Sequence, residues 1–193
     1  MIELVEATTQ LLAGGTVSRT GEHFTLADAV LNDPPPVRNP VPLLVGGNGR
    51  RVLHFAGRCA DIVGITGLGR TLADGHRHEV DWSRDTVQAI LQTIASTGDT
   101  RVDSPEIEAL VQAVVVTDDV AAAAQQLTEL IPGTSVEDLL EAPFVWIGTV
   151  DEIAAKLRQT KQALGIDRYV VRPAAMSDAR SVIGALADGP SIR

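Results

Sequence analysis

One stretch of the chain, PLLVGGNGR at residues 42–50, carries the clearest structural signal. The apolar run Val41–Val45 is short and bounded by prolines and glycines, so it predicts a buried β-strand. Residues 50–58 place their apolar side chains at helical spacing, so a helix is predicted directly after the glycines. A strand that passes through glycines into a helix is the first part of a β/α unit.

The glycine-rich turn in this unit is a candidate anion site. Glycine allows a backbone to pass close to a ligand and to adopt positive φ, and the first amides of a helix are unpaired at the positive end of its dipole. Gly46, Gly47, Asn48 and Gly49 would form the site, and Arg50 could add charge. The alternative is a tight turn without a ligand, because the stretch lacks both the third glycine of G-x-G-x-x-G and the Lys-Ser/Thr of a P-loop.

Strands and helices alternate along the rest of the chain. The predicted strands are 41–45, 61–66, 111–116 and 168–172, with a brief extended segment at 144–147, and the predicted helices are 2–13, 50–58, 79–95, 120–130, 135–140, 150–164 and 177–186. An extended excursion is predicted for 21–39 and a loop for 67–78. This alternation predicts parallel strands joined by helical crossovers. Two architectures remain open, an open doubly wound sheet and part of a (β/α)8 barrel.

Composition limits the function. The 193 residues are 45% hydrophobic and 21% charged, which is typical of one globular domain. The formal net charge of -9 argues against nucleic-acid and membrane-surface binding. Cys59 is the single cysteine, so an intramolecular disulfide and a cysteine-based zinc site are excluded, and a reducing cytoplasm is expected. No apolar run approaches the roughly 18 residues of a membrane-spanning helix.

Other candidate residues follow the second and last predicted strands. Gly64 and Thr66 could line a cofactor tail, or they could serve as packing relief and a turn residue. Arg172 could face a ligand at the end of the last strand. His76 and His78 are interpreted as part of a solvated loop, so no metal site is predicted. No Ser/His/Asp or Cys/His arrangement is visible, so no catalytic residue is assigned.

A series of short motifs follows one order along nearly the whole chain. They are LLAGG at 11–15, GEHF at 21–24, PPPVRNPVP at 34–42, LLVGG at 43–47, GRRVL at 49–53, ADIVG at 60–64, VVVTDD at 114–119, VWIGTVDEI at 145–153, GI at 165–166 and YVV at 169–171. Together these motifs resemble the luciferase-like monooxygenase family, and specifically its deazaflavin (F420)-dependent oxidoreductase branch.

The resemblance implies a (β/α)8 barrel that binds FMN or F420 at the carboxyl ends of its strands. Hydride or electrons would pass between that cofactor and a small-molecule substrate. In such proteins the Gly-Gly strand end contacts the cofactor phosphate, which carries over to Gly46, Gly47, Asn48 and Gly49, and less directly to Arg50.

The family's members are longer than this chain, and the difference lies at the N-terminal side. The resemblance therefore implies that residues 1–193 form a single domain, the C-terminal half of a barrel with about four parallel strands and flanking helices, and that the N-terminal strands are missing. We expect a fragment of a flavin- or F420-dependent oxidoreductase that pairs with the missing half or with itself. The alternative is a non-catalytic half-barrel that binds a phosphorylated ligand or self-associates.

Overall fold

The computed structural model of the chain describes residues 1–31, 40–96, 104–131 and 133–187. These residues form two compact units, Met1–Leu43 and Leu44–Arg193. Whether the chain behaves as the single domain expected from its sequence stays a prediction. The proline-rich part of the predicted excursion, residues 32–39, lies outside the described residues.

The first unit consists of one helix and one antiparallel hairpin. Its elements are α1 (Ile2–Leu12), β1 (Val17–Thr20) and β2 (Thr25–Ala29). The sequence predicted only an extended excursion after Gly21, whereas the structure pairs the first part of it with β1. The amide of Gly21 donates to the carbonyl oxygen of Phe24 at 3.0 Å, and this tight turn reverses the chain. The carboxylate of Glu3 accepts the amide of Glu22 at 2.9 Å.

The second unit contains the remaining elements. In chain order these are β3 (Leu44–Gly46), α2 (Arg50–Cys59), β4 (Ile62–Ile65), β5 (Leu68–Thr71), β6 (His78–Val80), α3 (Arg84–Ala95), β7 (Glu106–Val111), β8 (Ala113–Val116), α4 (Val120–Leu130), α5 (Val136–Glu141), β9 (Val145–Gly148), α6 (Val150–Leu164), β10 (Ile166–Val171), a 3-10 turn (Pro173–Ala175) and α7 (Met176–Ala187).

A four-stranded parallel sheet forms the centre of this unit. Its strand order is β3-β4-β7-β10, so the four strands lie side by side in the same order in which they occur along the chain. In a doubly wound sheet the order reverses at a switch point, whereas the wall of a barrel adds strands in one direction only. The predicted α/β fold with about four parallel strands is therefore confirmed, and the strand order favours the barrel over the doubly wound alternative.

The two faces of the sheet differ in burial. One face is packed beneath the helices, where Val63, Ile65 and Ala109 are fully buried. The other face carries Leu44 and Val170, which are 47% and 41% exposed, together with Arg168, which forms ion pairs with Glu106 and Glu108. The second face therefore differs from the first, because it combines exposed apolar side chains with an ion-paired cluster.

The predicted strand 111–116 is divided in the structure. Residues up to Val111 belong to the four-stranded sheet, and Ala113–Val116 instead pairs in parallel with β9. Gln112 lies at the division. Its backbone amide donates to the carbonyl oxygen of Phe144 at 2.7 Å, and this is the first hydrogen bond towards β9. The prediction of one strand was wrong because an apolar run does not reveal that its two ends have different partners.

The predicted helix 79–95 and the predicted loop 67–78 also need correction. The helix begins only at Arg84, after Ser83, whose hydroxyl accepts the amide of Thr86 at 3.4 Å. The preceding residues His78–Val80 pair with Leu68–Thr71 as an antiparallel hairpin, so both ends of the predicted loop belong to strands. Val80 was wrongly included in the predicted helix because its distance along the sequence from Val87 matches helical spacing. The structure places Val80 in β6.

Candidate functional site

The glycine-rich turn places the N terminus of α2 at the carboxyl end of β3. Gly49 is the N-terminal capping residue, and its carbonyl oxygen accepts the amides of Val52 and Leu53 at 2.8 and 3.0 Å. In the described part of the chain no side chain caps this helix, and its first turn holds no acidic residue. Arg50 and Arg51 are both exposed beside it. The helix terminus therefore has the positive potential that attracts an anion.

Two glycines of the turn have different structural roles. Gly47 has φ +156, and a Cβ atom there would lie 2.9 Å from Val52 Cγ1, so the close approach to α2 requires glycine. A Cβ atom on Gly49 would have nothing within 4 Å. Gly47 thus fixes the turn, and the space beside Gly49 is open to a ligand.

A polar network connects the carboxyl ends of three neighbouring strands. The side-chain amide of Asn48 donates to Thr66 Oγ1 at 2.9 Å and also to the carbonyl oxygen of Leu68. Gln112 Nε2 donates to the carbonyl oxygen of Thr66 at 2.9 Å. These residues follow β3, β4 and β7, the edge at which parallel α/β folds place their ligands.

The other end of the Asn48 amide is left without a partner. Its Oδ1 atom is buried, and no described group donates a hydrogen bond to it. The carbonyl oxygen of Leu68 can only accept a hydrogen bond, so it favours Nδ2 on this side of the amide and Oδ1 on the other. Buried acceptors are nearly always paired, so this atom is suited to a hydroxyl or N–H donor of a bound molecule.

Gly64 and Thr66 lie next to the turn, as the sequence suggested. The carbonyl oxygen of Gly64 accepts the amide of Gly47 at 3.3 Å. A Cβ atom on Gly64 would lie 3.6 Å from Gly46 Cα, an ordinary contact. Thr66 has a larger part, because its hydroxyl and carbonyl oxygens both belong to the polar network. The assignment of these residues to a cofactor remains a prediction.

Gly67, which follows Thr66, packs closely against two buried aromatic side chains. Gly67 has φ +66, and its carbonyl oxygen accepts the indole N–H of Trp82 at 2.9 Å. A Cβ atom on Gly67 would lie 2.4 Å from that indole nitrogen and 2.6 Å from the ring of Phe144. Trp82 and Phe144 are themselves buried. The chain reversal after β4 therefore has little freedom, which keeps Thr66 and Leu68 in position for Asn48.

Sequence reasoning missed Gln112 and the carbonyl oxygen of Leu68. The sequence does contain a signal for Gln112, because it is the single polar residue between Val111 and Val116 in an otherwise apolar predicted strand. The carbonyl of Leu68 gave none, since any residue offers a backbone acceptor.

The remaining candidate residues do not join the network. Arg172 is exposed after β10, and His76 is exposed in the β5–β6 turn. His78 lies in β6, where its Nδ1 atom is 3.4 Å from Thr71 Oγ1. Within the described ranges no group of three or more His, Cys, Asp or Glu side chains could hold a metal ion. The helices described are also too short or too polar to cross a membrane.

Solved structures with the same fold were found at low sequence identity. An F420-dependent secondary alcohol dehydrogenase in complex with an F420-acetone adduct has TM-score 0.62 and 17% identity, over 97% of this chain and 61% of that one. The coenzyme F420-dependent tetrahydromethanopterin reductase from Methanopyrus kandleri has TM-score 0.63 and 15% identity, over 93% and 59%. A riboflavin lyase with modified FMN and substrate riboflavin has TM-score 0.62 and 14% identity, over 96% and 56%.

These likenesses show the fold, and the chain spans little more than half the length of these proteins. None of the proteins with curated functions matches the sequence. A family model described as luciferase-like monooxygenase matches residues 1–168, which is most of the chain and confirms the resemblance seen in the motifs. The protein belongs to the luciferase-like monooxygenase family.

Proposed function

We propose that this chain provides the phosphate-binding strand end of an F420- or FMN-dependent oxidoreductase. The carrying observation is the N terminus of α2, which follows a parallel strand, has glycine in place of a capping side chain and lacks acidic residues in its first turn. Arg50 and Arg51 would add positive charge to the backbone amides. A phosphate bound there would occupy the open space beside Gly49.

The relatives supply the class of cofactor. Two of the proteins with this fold are described as F420-dependent, and a third was solved with modified FMN. Both cofactors carry a phosphate on a polyhydroxylated tail. When bound, the cofactor would transfer hydride or electrons to or from a small-molecule substrate, while this chain would bind and orient it.

Asn48 would contact the tail of the cofactor rather than its phosphate. Its buried Oδ1 atom lacks a donor among the described groups, and a tail hydroxyl can supply one. Thr66 and Leu68 hold the amide in the orientation that presents Oδ1. Gln112 fixes Thr66 in turn. We therefore assign Asn48 to tail binding and Thr66 and Gln112 to positioning.

The exposed face of the sheet points to a larger assembly. Leu44 and Val170 are half-exposed on the face opposite the helices. We propose that this face is the inner wall of a barrel whose other strands come from additional polypeptide, which would also hold the substrate and the reactive ring. The matched proteins have the length needed for those strands, since the chain covers at most 61% of the three described.

Fluorescence titration with FMN and with F420 tests the phosphate site. The Gly49→Asp variant places a carboxylate at the N terminus of α2 and should weaken both cofactors by about tenfold or more. Gly184→Asp is the matched control, because Gly184 lies exposed in α7 and should leave the affinity unchanged. Equal affinities for the wild type and Gly49→Asp would contradict the proposal, as would an equal loss in both variants.

A further inference from the structure

A cavity of about 290 Å³ lies apart from the strand ends, between α3, α5 and α6. None of its lining residues belongs to the polar network of Asn48 or to the glycine-rich turn. Its polar lining includes Arg84, Glu141 and Lys156, and its accessible apolar lining includes Leu140, Ala163 and Leu164. The volume is near the lower end of the range for small-molecule sites, about 300–1,000 Å³, so a compact ligand fits it better than a nucleotide-sized cofactor.

Lys156 is the unusual side chain in this cavity. Its ammonium group donates to the carbonyl oxygen of Val145 at 2.8 Å. No carboxylate of the described residues forms an ion pair with it. Burial lowers the pKa of Lys156 to about 8, and the charge of Glu141 acts at longer range in the opposite direction. A partly desolvated cation with one neutral acceptor is incompletely satisfied, because an ammonium group has three donors.

The charges around the cavity favour an anion. Arg84 and Lys156 contribute two positive charges and Glu141 contributes one negative charge; Arg84 and Glu141 are both exposed, whereas Lys156 is half-buried. We propose that the cavity binds a small amphipathic carboxylate, with its headgroup at Lys156 and Arg84 and its hydrocarbon part against Leu140, Ala163 and Leu164.

This proposal is independent of the proposed cofactor site. It uses different residues and does not require a phosphate, a redox cofactor or additional strands. A chain that binds no FMN or F420 could still bind a carboxylate here, so the two proposals can fail separately.

Calorimetric titration with octanoate and octan-1-ol tests the site on the full chain. The two probes share an alkyl chain and differ in the charged headgroup. We expect octanoate to bind more tightly, and Lys156→Met to weaken octanoate by about tenfold or more without weakening octan-1-ol. Lys161→Met is the matched control on the same helix and should change neither affinity. Equal binding of both probes, no binding of octanoate, or an unchanged affinity in Lys156→Met would overturn the proposal.

A second measurement uses the wild-type protein, so it does not depend on whether a variant folds. Lys156 and Lys161 are the only lysines of the sequence, so protein labelled with 13C-lysine gives two side-chain signals. Octanoate should move one of them and raise the pH midpoint of that signal, since an anion stabilises the charged amine. Octanoate affinity should fall as pH rises through that midpoint, because the amine then loses the charge that attracts the carboxylate. Signals unmoved by octanoate would overturn the proposal, and Arg84→Gln should weaken octanoate if it stands.

Discussion

The side-chain amide of Asn48 donates to the hydroxyl oxygen of Thr66 at 2.9 Å, and this bond joins the carboxyl ends of β3 and β4. The same amide group reaches the carbonyl oxygen of Leu68. This carbonyl favours Nδ2 on its side of the amide, which leaves Oδ1 buried without a donor among the described residues. A bond between strand ends thus prepares an acceptor at the edge where parallel α/β folds bind ligands.

Thr66→Val removes the hydroxyl that serves both Asn48 and the amide of Leu68. The donors left without an acceptor, Asn48 Nδ2 and the amide of Leu68, are partly buried. We therefore expect the free energy of unfolding, measured by urea denaturation, to fall by about 1–3 kcal/mol. Cofactor affinity should fall as well, since Asn48 loses its orientation. Thr93→Val is the control, because the exposed hydroxyl of Thr93 donates to the carbonyl oxygen of Ala89 within its own helix. Equal decreases in the free energy of unfolding for Thr66→Val and Thr93→Val would contradict a stabilising role of the polar network.

Gly47→Ala tests the close approach of the turn to α2. The added methyl group would lie 2.9 Å from Val52 Cγ1 at a backbone conformation unfavourable to alanine, so we expect destabilisation of about 1–3 kcal/mol. Combining it with Val52→Ala should recover the part that is due to the contact. Gly184→Ala, in the interior of α7, should instead stabilise by about 0.5–1 kcal/mol. Destabilisation by both single variants alike would contradict the steric explanation.

Trp82→Phe and Trp146→Phe make a matched pair for the turn after β4. The indole N–H of Trp82 donates to the carbonyl oxygen of Gly67, whereas the buried indole N–H of Trp146 has no acceptor in the described part of the chain. Both residues are 2% exposed. We expect Trp82→Phe to lower the free energy of unfolding by about 1–3 kcal/mol more than Trp146→Phe does, because it leaves the carbonyl of Gly67 unpaired. Chemical denaturation measures both, and equal costs would refute the role of that hydrogen bond.

The start of α6 predicts a pH dependence. The carboxylate of Glu152 accepts the amide of Thr149 at 2.8 Å and its hydroxyl at 2.9 Å. The backbone hydrogen bond is the main cause that lowers the pKa of Glu152. A carboxyl with a lower pKa in the folded state stabilises the fold above its unfolded pKa and loses that effect as pH falls through its folded pKa.

The free energy of unfolding should therefore decrease as the solution is acidified below about pH 4.3, and Glu152→Gln should reduce this dependence. Urea denaturation at a series of pH values measures it, with Glu129→Gln on the exposed side of α4 as the control. An unchanged acid dependence in Glu152→Gln would show that the capping box does not couple to pH.

Local sequence signals predicted much of this structure. The helix boundaries at Asp119, Ser135 and Gly165 follow from side chains and backbone conformations within one turn of the helix. So does the capping box of Thr149 and Glu152. The glycine turn between β3 and α2 was also predicted, because glycine and the change of periodicity lie next to each other in the sequence.

Features that depend on distant partners were not predicted. The division at Gln112 requires β9, and the network of Asn48 joins residues 18 and 20 positions away. Gln112 reaches Thr66 over 46 positions. Periodicity contains no information on such pairs, so the sequence identified the position of the candidate site but not the contacts that shape it. The binding roles of Gly46, Gly47, Asn48, Gly49, Arg50, Gly64 and Thr66 stay predictions.

The most direct test of the phosphate site compares FMN with riboflavin, which lacks only the phosphate. Equilibrium fluorescence titration of the chain, and of the chain reconstituted with the other strands of a barrel, gives the two dissociation constants. The N terminus of α2 should make FMN bind tighter than riboflavin by about tenfold or more, and Gly49→Asp should abolish that difference. Equal affinities of FMN and riboflavin for the wild-type protein would contradict a phosphate site at Gly46–Arg50.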